Sequence, residues 1–405
     1  MGESWRRGPF GPGAERGATI PVAKRILVVF HHLTAVNRLA DVLTLIERDH
    51  RVQVVCTVVP SAVLAEGAAR HLRGSGAVGI PWAQAVNTRF DLAVAAGYGE
   101  LEALHAPVVI VPHGVGPSML SRQWEGHGPV TARPAAGLRP ETLVGGGRVI
   151  PSLLAAARDS HRDRLLRYCP ELAPVVRVTG DPALDRMLAG GRLRETYREA
   201  LGVRPGRRLV VVSSTWGPRS LLGRHPDLPA RLAAALPEAT HRVVMAVHPA
   251  VWAWHGRHQV LAWLEGAFQA GLAVLPPEEG WSAALVAADE VVGDFGSVTC
   301  YAAALGLPVT LAAFPDTDVV PGEPGELLGR EAARLDPDAA VLLPDARLAG
   351  RTVPGMPERL TSRPGASARL LRRAMYELIG LPEPECEARF PAPAVPRPIG
   401  TGLLR

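Results

Sequence analysis

Two histidines are the residues best suited to acid–base work in this sequence. His113-Gly114 follows the apolar run "VVIVP", and His248-Pro249 follows "VVMAV". An imidazole near neutral pH can take the proton of a hydroxyl as that hydroxyl attacks. A third group of polar residues, Asp294, Gly296, Ser297, Val298 and Thr299, follows the run "EVV". A helix starting there would offer free amides and the positive end of its dipole to an anion. Gly296 would let a phosphate approach the backbone without a Cβ in the way. Ser297 and Thr299 would add hydroxyl donors. A plain N-cap by Asp294 or Ser297 would use the same residues.

Two more polar clusters sit at the ends of apolar runs. Ser213, Ser214, Thr215 and Trp216 follow "RLVVV", and Gly180-Asp181-Pro182 with Asp185 follows "VVRVT". Alone, each reads as a cap or a turn. Their succession, always just after an apolar run, points to one kind of scaffold. Short β-branched runs alternate with longer Ala/Leu/Arg segments. Strands are expected at 24–31, 50–59, 90–97 and 106–114, then again from 207 onward, with helices between them. Fully apolar strands in such an alternation belong to parallel sheets covered on both faces. The segment "IPSLLAAARDSHRDRLLRY" reads as helix throughout, and the Gly/Pro/Arg-rich stretch between about 117 and 150 reads as loop. The expected organisation is a disordered tail over 1–23, a Rossmann-like domain over 24–190, a second Rossmann-like domain over 191–380 and a loose Pro-rich tail over 381–405. In open α/β sheets ligands sit beyond the carboxyl ends of the strands, so a cleft between two such domains is the expected binding place.

The 405 residues, 47% of them hydrophobic, suffice for two cores. The formal charge of +5 comes from dispersed arginine, with Lys24 as the single lysine. Dispersed arginine with few aromatics is a poor nucleic-acid signature, though it suits anionic small molecules. Cysteines 56, 169, 300 and 386 are too scattered for a zinc knuckle or redox pair, which favours a reducing, cytoplasmic setting. No run approaches a membrane span. Arg6 and Arg7 are too few for stable membrane attachment, so peripheral contact with the inner face of a membrane stays an open expectation.

The segments "VVIVPHGVGPS", "VVRVTGDPALDRML", "VVVSSTW", "VVMAVHP" and "ADEVVGDFGSVTCYAAALGLPV" together resemble the CDP-glycerol glycerophosphotransferases, the teichoic-acid primases and polymerases. The resemblance covers roughly residues 106–310. It implies a GT-B fold, with the donor nucleotide on the C-terminal domain and the acceptor toward the N-terminal one. It further implies His113 as the base, with Gly114 beside it, and His248 on the donor's phosphates. Thr215 and Trp216 would lie near a phosphate-binding helix start at Ser297, Val298 and Thr299. The activity implied is transfer of glycerophosphate, or a related polyol-phosphate or sugar group, from a CDP-linked donor to an acceptor hydroxyl, with no cofactor and no metal. Three departures stand out. The family's His-Gly-Thr-Pro continues here as Val115-Gly116-Pro117, its Arg after Thr-Trp is Gly217, and its Asp-Tyr-Ser-Ser reads Asp294-Phe295-Gly296-Ser297.

Two other readings use the same residues. One is a GT-B enzyme taking a UDP-sugar, either a glycosyltransferase or a sugar 2-epimerase, with Asp181 and Asp185 as available carboxylates. The other is a GT-B protein that binds a nucleotide or partner without turnover. Arg219 and Arg224 are candidate helpers at the donor phosphates, against the plainer reading of solvated loop arginines. The Asp-Phe-Gly tripeptide of protein kinases is matched by Asp294-Phe295-Gly296, but no Gly-rich loop with a strand lysine precedes it. His31, His32, His255 and His258 read as exposed or capping residues, Gly145–Gly147 as a turn, and Trp252, Trp254 and Trp263 as core.

Overall fold

In the computed structural model, residues 5–8, 14–62, 64–116, 118–120, 140–336 and 350–399 are described. The apolar runs form strands because valine and isoleucine pack well on a pleated surface buried on both sides. In chain order the strands of the first unit are β1 (Lys24–Phe30), β2 (Val52–Val58), β3 (Leu92–Ala95), β4 (Val108–Ile110), the short hairpin β5 (Val144–Gly145) and β6 (Arg148–Val149), β7 (Leu153–Ala156) and β8 (Val176–Val178). Those of the second are β9 (Arg208–Ser214), β10 (His241–Val247), β11 (Ala273–Val274), β12 (Glu290–Gly293), β13 (Val309–Leu311) and β14 (Ala333–Arg334). The two main sheets each have six strands, in the orders β2-β1-β3-β4-β7-β8 and β11-β10-β9-β12-β13-β14, and their paired strands run parallel.

Side chains of β1 alternate between two apolar clusters. Ile26, Val28 and Phe30 join one with Leu33, Val36 and Leu39 of the following helix, Leu33–Leu43. Leu27 and Val29 join the other with Ile80, Phe90 and Leu172. This is the period of two that a strand imposes, and it shows why the sheet must be covered on both faces. In the second unit Val210, Val212, Met245 and Val247 pack against Leu232, Val260 and Phe268.

The helix expected from Ile150 to Tyr168 is two elements. Leu153–Ala156 is strand β7, and only Asp159–Tyr168 is helical. The run Leu-Leu-Ala-Ala favours helix by propensity, but it is wholly buried and pairs with both β4 and β8. Tertiary pairing overrides the local preference.

The two units interleave along the chain. The first comprises Met1–Gly116, Gly137–Asp185 and Thr361–Phe390, and the second comprises Pro117–Ala136, Arg186–Leu360 and Pro391–Arg405. Residues 361–380, expected with the nucleotide-donor domain, therefore pack in the other unit. Their helix, Ser367–Ile379, lays Leu371, Met375, Tyr376 and Ile379 into the cluster of Ile26 and Val28. Tyr376 also donates its hydroxyl to Asp49 at 2.7 Å. The carboxylate of Asp185 holds the start of this helix, accepting from the amides of Gly365 (2.8 Å) and Ser367 (2.9 Å). Nor is the Pro-rich stretch loose as far as it is described. Pro393 accepts from the Tyr197 hydroxyl at 2.6 Å, and the Ile399 amide donates to Val274 at 2.8 Å. At the other end of the chain, Arg6 is held through its backbone by the side chain of Gln84.

Asp185→Ala leaves the amides of Gly365 and Ser367 without their acceptor. A buried donor left unsatisfied costs about 1–3 kcal/mol, so a loss of about 2 kcal/mol or more is expected in urea unfolding of the full chain. A change under about 0.5 kcal/mol would show that the contact holds nothing.

Candidate functional site

A parallel sheet opens a crevice where its strand order reverses. In the second unit the reversal lies between β9 and β12. The chain leaves these strands at Thr215 and Asp294, which brings together two polar clusters some eighty residues apart. Asp294 is fully buried, at 0% exposure. One carboxylate oxygen accepts from the amides of Thr215 (2.8 Å) and Leu221 (2.9 Å), and the other from Gly296 (3.0 Å). Burial pushes its pKa up to about 7, against the pull of those amide donors. Asp294, expected among the binding residues, is buried and spends both carboxyl oxygens on backbone amides. It fixes the Thr215–Leu221 loop and the start of the next helix in one arrangement.

That helix, Ser297–Ala304, begins at Gly296, which has no side chain to cap it. Gly296, Ser297 and Val298 are half-buried, so this helix end is accessible. A Cβ on Gly296 would meet Asp294 Oδ1 at 3.2 Å and Thr215 Cβ at 3.3 Å, which explains the glycine where the resembling family has serine. Thr299 does not join the group. It is fully buried, and its hydroxyl packs where a Cβ on Gly293 would be. The sequence could not show that the second turn of this helix faces inward. Thr215 is half-buried and Trp216 is 52% exposed, its ring centre 6.4 Å from that of His248. His248 accepts the amide of Ala250 at its Nδ1 (3.0 Å) and caps the helix Pro249–His255. An amide only donates, so the neutral ring carries its hydrogen on Nε2, as a donor. Of the two candidate helper arginines, Arg219 is paired with the buried Asp318 and Arg224 is exposed.

In the first unit the order reverses between β1 and β3, and histidines gather there. His113, after β4, lies with Nδ1 2.9 Å from the carbonyl of Ala96, just past β3. A carbonyl only accepts, so Nδ1 carries the hydrogen and Nε2 holds the lone pair, the form a general base needs. Its pKa is lowered, first by desolvation, then by the charges of Arg38 and His31, while the Ala96 bond opposes. The residue keeps an exposed surface, so its desolvation is partial. Gly114 is half-buried beside it. His31 and His32 close β1, and sequence reasoning had set both aside. His31 is buried, its Nε2 3.1 Å from the Gly99 carbonyl, and a Cβ on Gly97 would sit 2.7 Å from its Nδ1. His32 does cap a helix, and its ring meets His113 edge to face at 4.9 Å between centres. The signal that would have found them was their place directly after the first strand.

The carboxylates named for an epimerase are structurally engaged. Asp181 accepts from the amides of Ala183 and Leu184 and pairs with the buried Arg38 at 3.5 Å, and Asp185 holds the helix start described above. Gly146 and Gly147 form the turn between β5 and β6 in left-handed conformations. Trp252 is core, but Trp254 (70%) and Trp263 (54%) are exposed. Among the described residues no group of three or more His, Cys, Asp or Glu could hold a metal, and no helix is long and apolar enough to cross a membrane.

With two parallel six-stranded sheets, each with a polar cluster at its switch point, the architecture can be compared with solved structures. It is similar to the wall teichoic acid polymerase TagF in a histidine-to-asparagine variant, with a TM-score of 0.58 over 88% of this chain and 89% of that one, at 10% identity. The fold is GT-B. The same variant soaked with CDPG aligns over the same shares with a TM-score of 0.53 at 9% identity. The UDP-GlcNAc 2-epimerase from Neisseria meningitidis bound to UDP-GlcNAc aligns over 71% of this chain and 82% of that one, with a TM-score of 0.44 and 13% identity. At such identities the likeness is one of fold. No protein-family model and no curated protein matches the sequence.

Asp294→Asn turns an amide NH2 toward backbone donors and should cost about 1–3 kcal/mol in urea unfolding, with faster hydrogen exchange at Thr215 and Leu221. The pH dependence has a definite sign. The folded carboxyl keeps its proton up to about 7, whereas the unfolded one loses it near 3.8. Stability should therefore fall as pH rises through that window, and Asp294→Asn should flatten the slope. An equal slope in both proteins would refute the assignment.

Proposed function

We propose that this GT-B protein is a transferase that uses a nucleotide-diphosphate donor, with a CDP-linked polyol phosphate as the favoured class, and an acceptor hydroxyl. The observation that carries the reading is the buried Asp294 gathering Thr215, Leu221 and Gly296 around an uncapped helix end, with Trp216 and His248 alongside. An accessible helix end favours a diphosphate. His248 and Ser297 would lie toward the phosphates, and Trp216 would give an apolar face to the nucleotide. The fold likeness to TagF supports the same reading.

His113 would serve as the base. The acceptor oxygen forms a bond to the phosphorus of the transferred polyol phosphate, and the bridging P–O bond breaks toward the leaving nucleoside monophosphate. The acceptor's proton passes to His113 Nε2. The helix end and His248 hold the charge that builds on the leaving phosphate. Binding without turnover is kept as the second reading because of one feature. Gly217, where the resembling family has arginine, stands at φ +86°, a conformation that disfavours any side chain.

Thermal-shift measurements with CDP-glycerol, CDP, UDP and UDP-GlcNAc, followed by a turnover assay, test the reading. CDP compounds should stabilise the protein and yield product; stabilisation without product favours the second reading, and no response to any nucleotide removes both. His113→Gln should lower kcat/KM by about 10²–10⁴ with donor affinity retained. Since the His113 pKa lies below 6.5, the acid limb of the kcat/KM profile should fall below pH 6.5. A limb above that value would exclude His113 as the base.

A further inference from the structure

We infer that His31 is a positioning residue for His113: it holds the turn from Ala96 to Gly99 so that the Ala96 carbonyl keeps the hydrogen of His113 on Nδ1. The inference rests on the reading of His113 as the acceptor's base, and it names what keeps that base in its working tautomer.

The register of the first sheet brings the parts together. Val29 of β1 pairs with Ala95 of β3, so His31 and Gly97 stand side by side, each two residues further on. A Cβ on Gly97 would come within 2.7 Å of both Cγ and Nδ1 of His31. A glycine there lets the backbone of the turn lie against the ring. Two residues later the Gly99 carbonyl lies 3.1 Å from His31 Nε2. A carbonyl only accepts, so Nε2 is the donor. The ring thus grips the turn at two points, by packing at Gly97 and by a hydrogen bond at Gly99. Ala96 adjoins the first of them, and its carbonyl accepts from His113 Nδ1 at 2.9 Å.

The shape of this turn is one that needs a hold. Gly99 stands at φ +102° and Glu100 at φ +57°, and a side chain in the left-handed region is strained. His31 is also kept at a cost. It is buried, and its Nδ1 has no hydrogen-bond partner among the described residues. Burial lowers its pKa, against the pull of the Gly99 bond, so the ring is neutral near pH 7 and Nδ1 is a lone pair without a donor. An apolar side chain would avoid that loss but could not hold the Gly99 carbonyl. Released from Ala96, a neutral His113 could carry its hydrogen on either nitrogen. With the hydrogen on Nε2 it would present a donor where the acceptor's proton has to be received.

The first arm of the test needs neither nucleotide nor turnover, so a failure of donor binding is not mistaken for a failure here. In the full chain labelled with 15N-histidine, with the rings neutral, NMR should show the hydrogen of His113 on Nδ1. His31→Phe keeps a packed ring and removes the donor, and His113 should then become a mixture of both tautomers. His31→Gln restores a donor and should return most of the Nδ1–H form. Gly97→Ala pushes the turn off an intact His31 and should disturb His113 in the same way, which keeps the test open if His31→Phe does not fold. In turnover, His31→Phe should lower kcat by about tenfold or more with the KM for the donor unchanged, and His31→Gln by clearly less. A wild-type His113 without a fixed tautomer would overturn the inference. So would an Nδ1–H form that survives Gly97→Ala or His31→Phe, or equal mixtures in His31→Phe and His31→Gln.

Discussion

A carboxylate with no access to water must find donors within the protein, and at Asp294 they are all backbone amides. This constraint shapes the second unit's site. Three stretches of chain, at Thr215, Leu221 and Gly296, are drawn to one buried group. One of those amides, Gly296, stands at the start of the helix Ser297–Ala304, so the same group fixes the loop and the helix end together. The burial costs stability progressively as pH rises toward about 7, because the folded group resists losing its proton. In return, the loop bearing Trp216 is held rigid beside an accessible helix end.

The first unit solves a related problem with carbonyls and amides in place of a carboxylate. The loop after β3 supplies acceptors to His113 through Ala96 and to His31 through Gly99. The helix after β1 supplies a donor to His32 through Ala35. Each of these rings thus has one nitrogen held by a backbone group. In both units the candidate residues lie where strand order reverses, which is where the ends of adjacent strands diverge and leave room.

Much of this was legible in the sequence. Fully apolar strands dictated parallel sheets, and the polar residues His113, Thr215 and Asp294 do follow the ends of strands β4, β9 and β12. What could not be read was direction. Asp294 and Thr299 look like ligand contacts on paper, because a one-dimensional pattern does not say which side of a helix start faces inward. Leu153–Ala156 looked helical because propensity is local and strand pairing is not. His32 was passed over because its partner lies far along the chain, and a contact between side chains eighty residues apart has no periodic signature. Trp254 and Trp263 were assigned to the core from their helical spacing, although only Trp252 of that group is buried.

The interleaving of the two units bears on how the protein can be made. The segment Thr361–Phe390 completes a core whose first strand begins at Lys24. While the chain emerges from a ribosome, the earlier unit lacks Leu371, Met375 and Tyr376 until the whole stretch between β1 and the helix Ser367–Ile379 has been synthesised. Its apolar face must stay covered by chaperones or by transient contacts in the meantime. A fragment cut after the middle of the chain would not be a domain but an unfinished one. Constructing either half as a separate polypeptide calls for grafting the distant helix back, not for choosing a better cut.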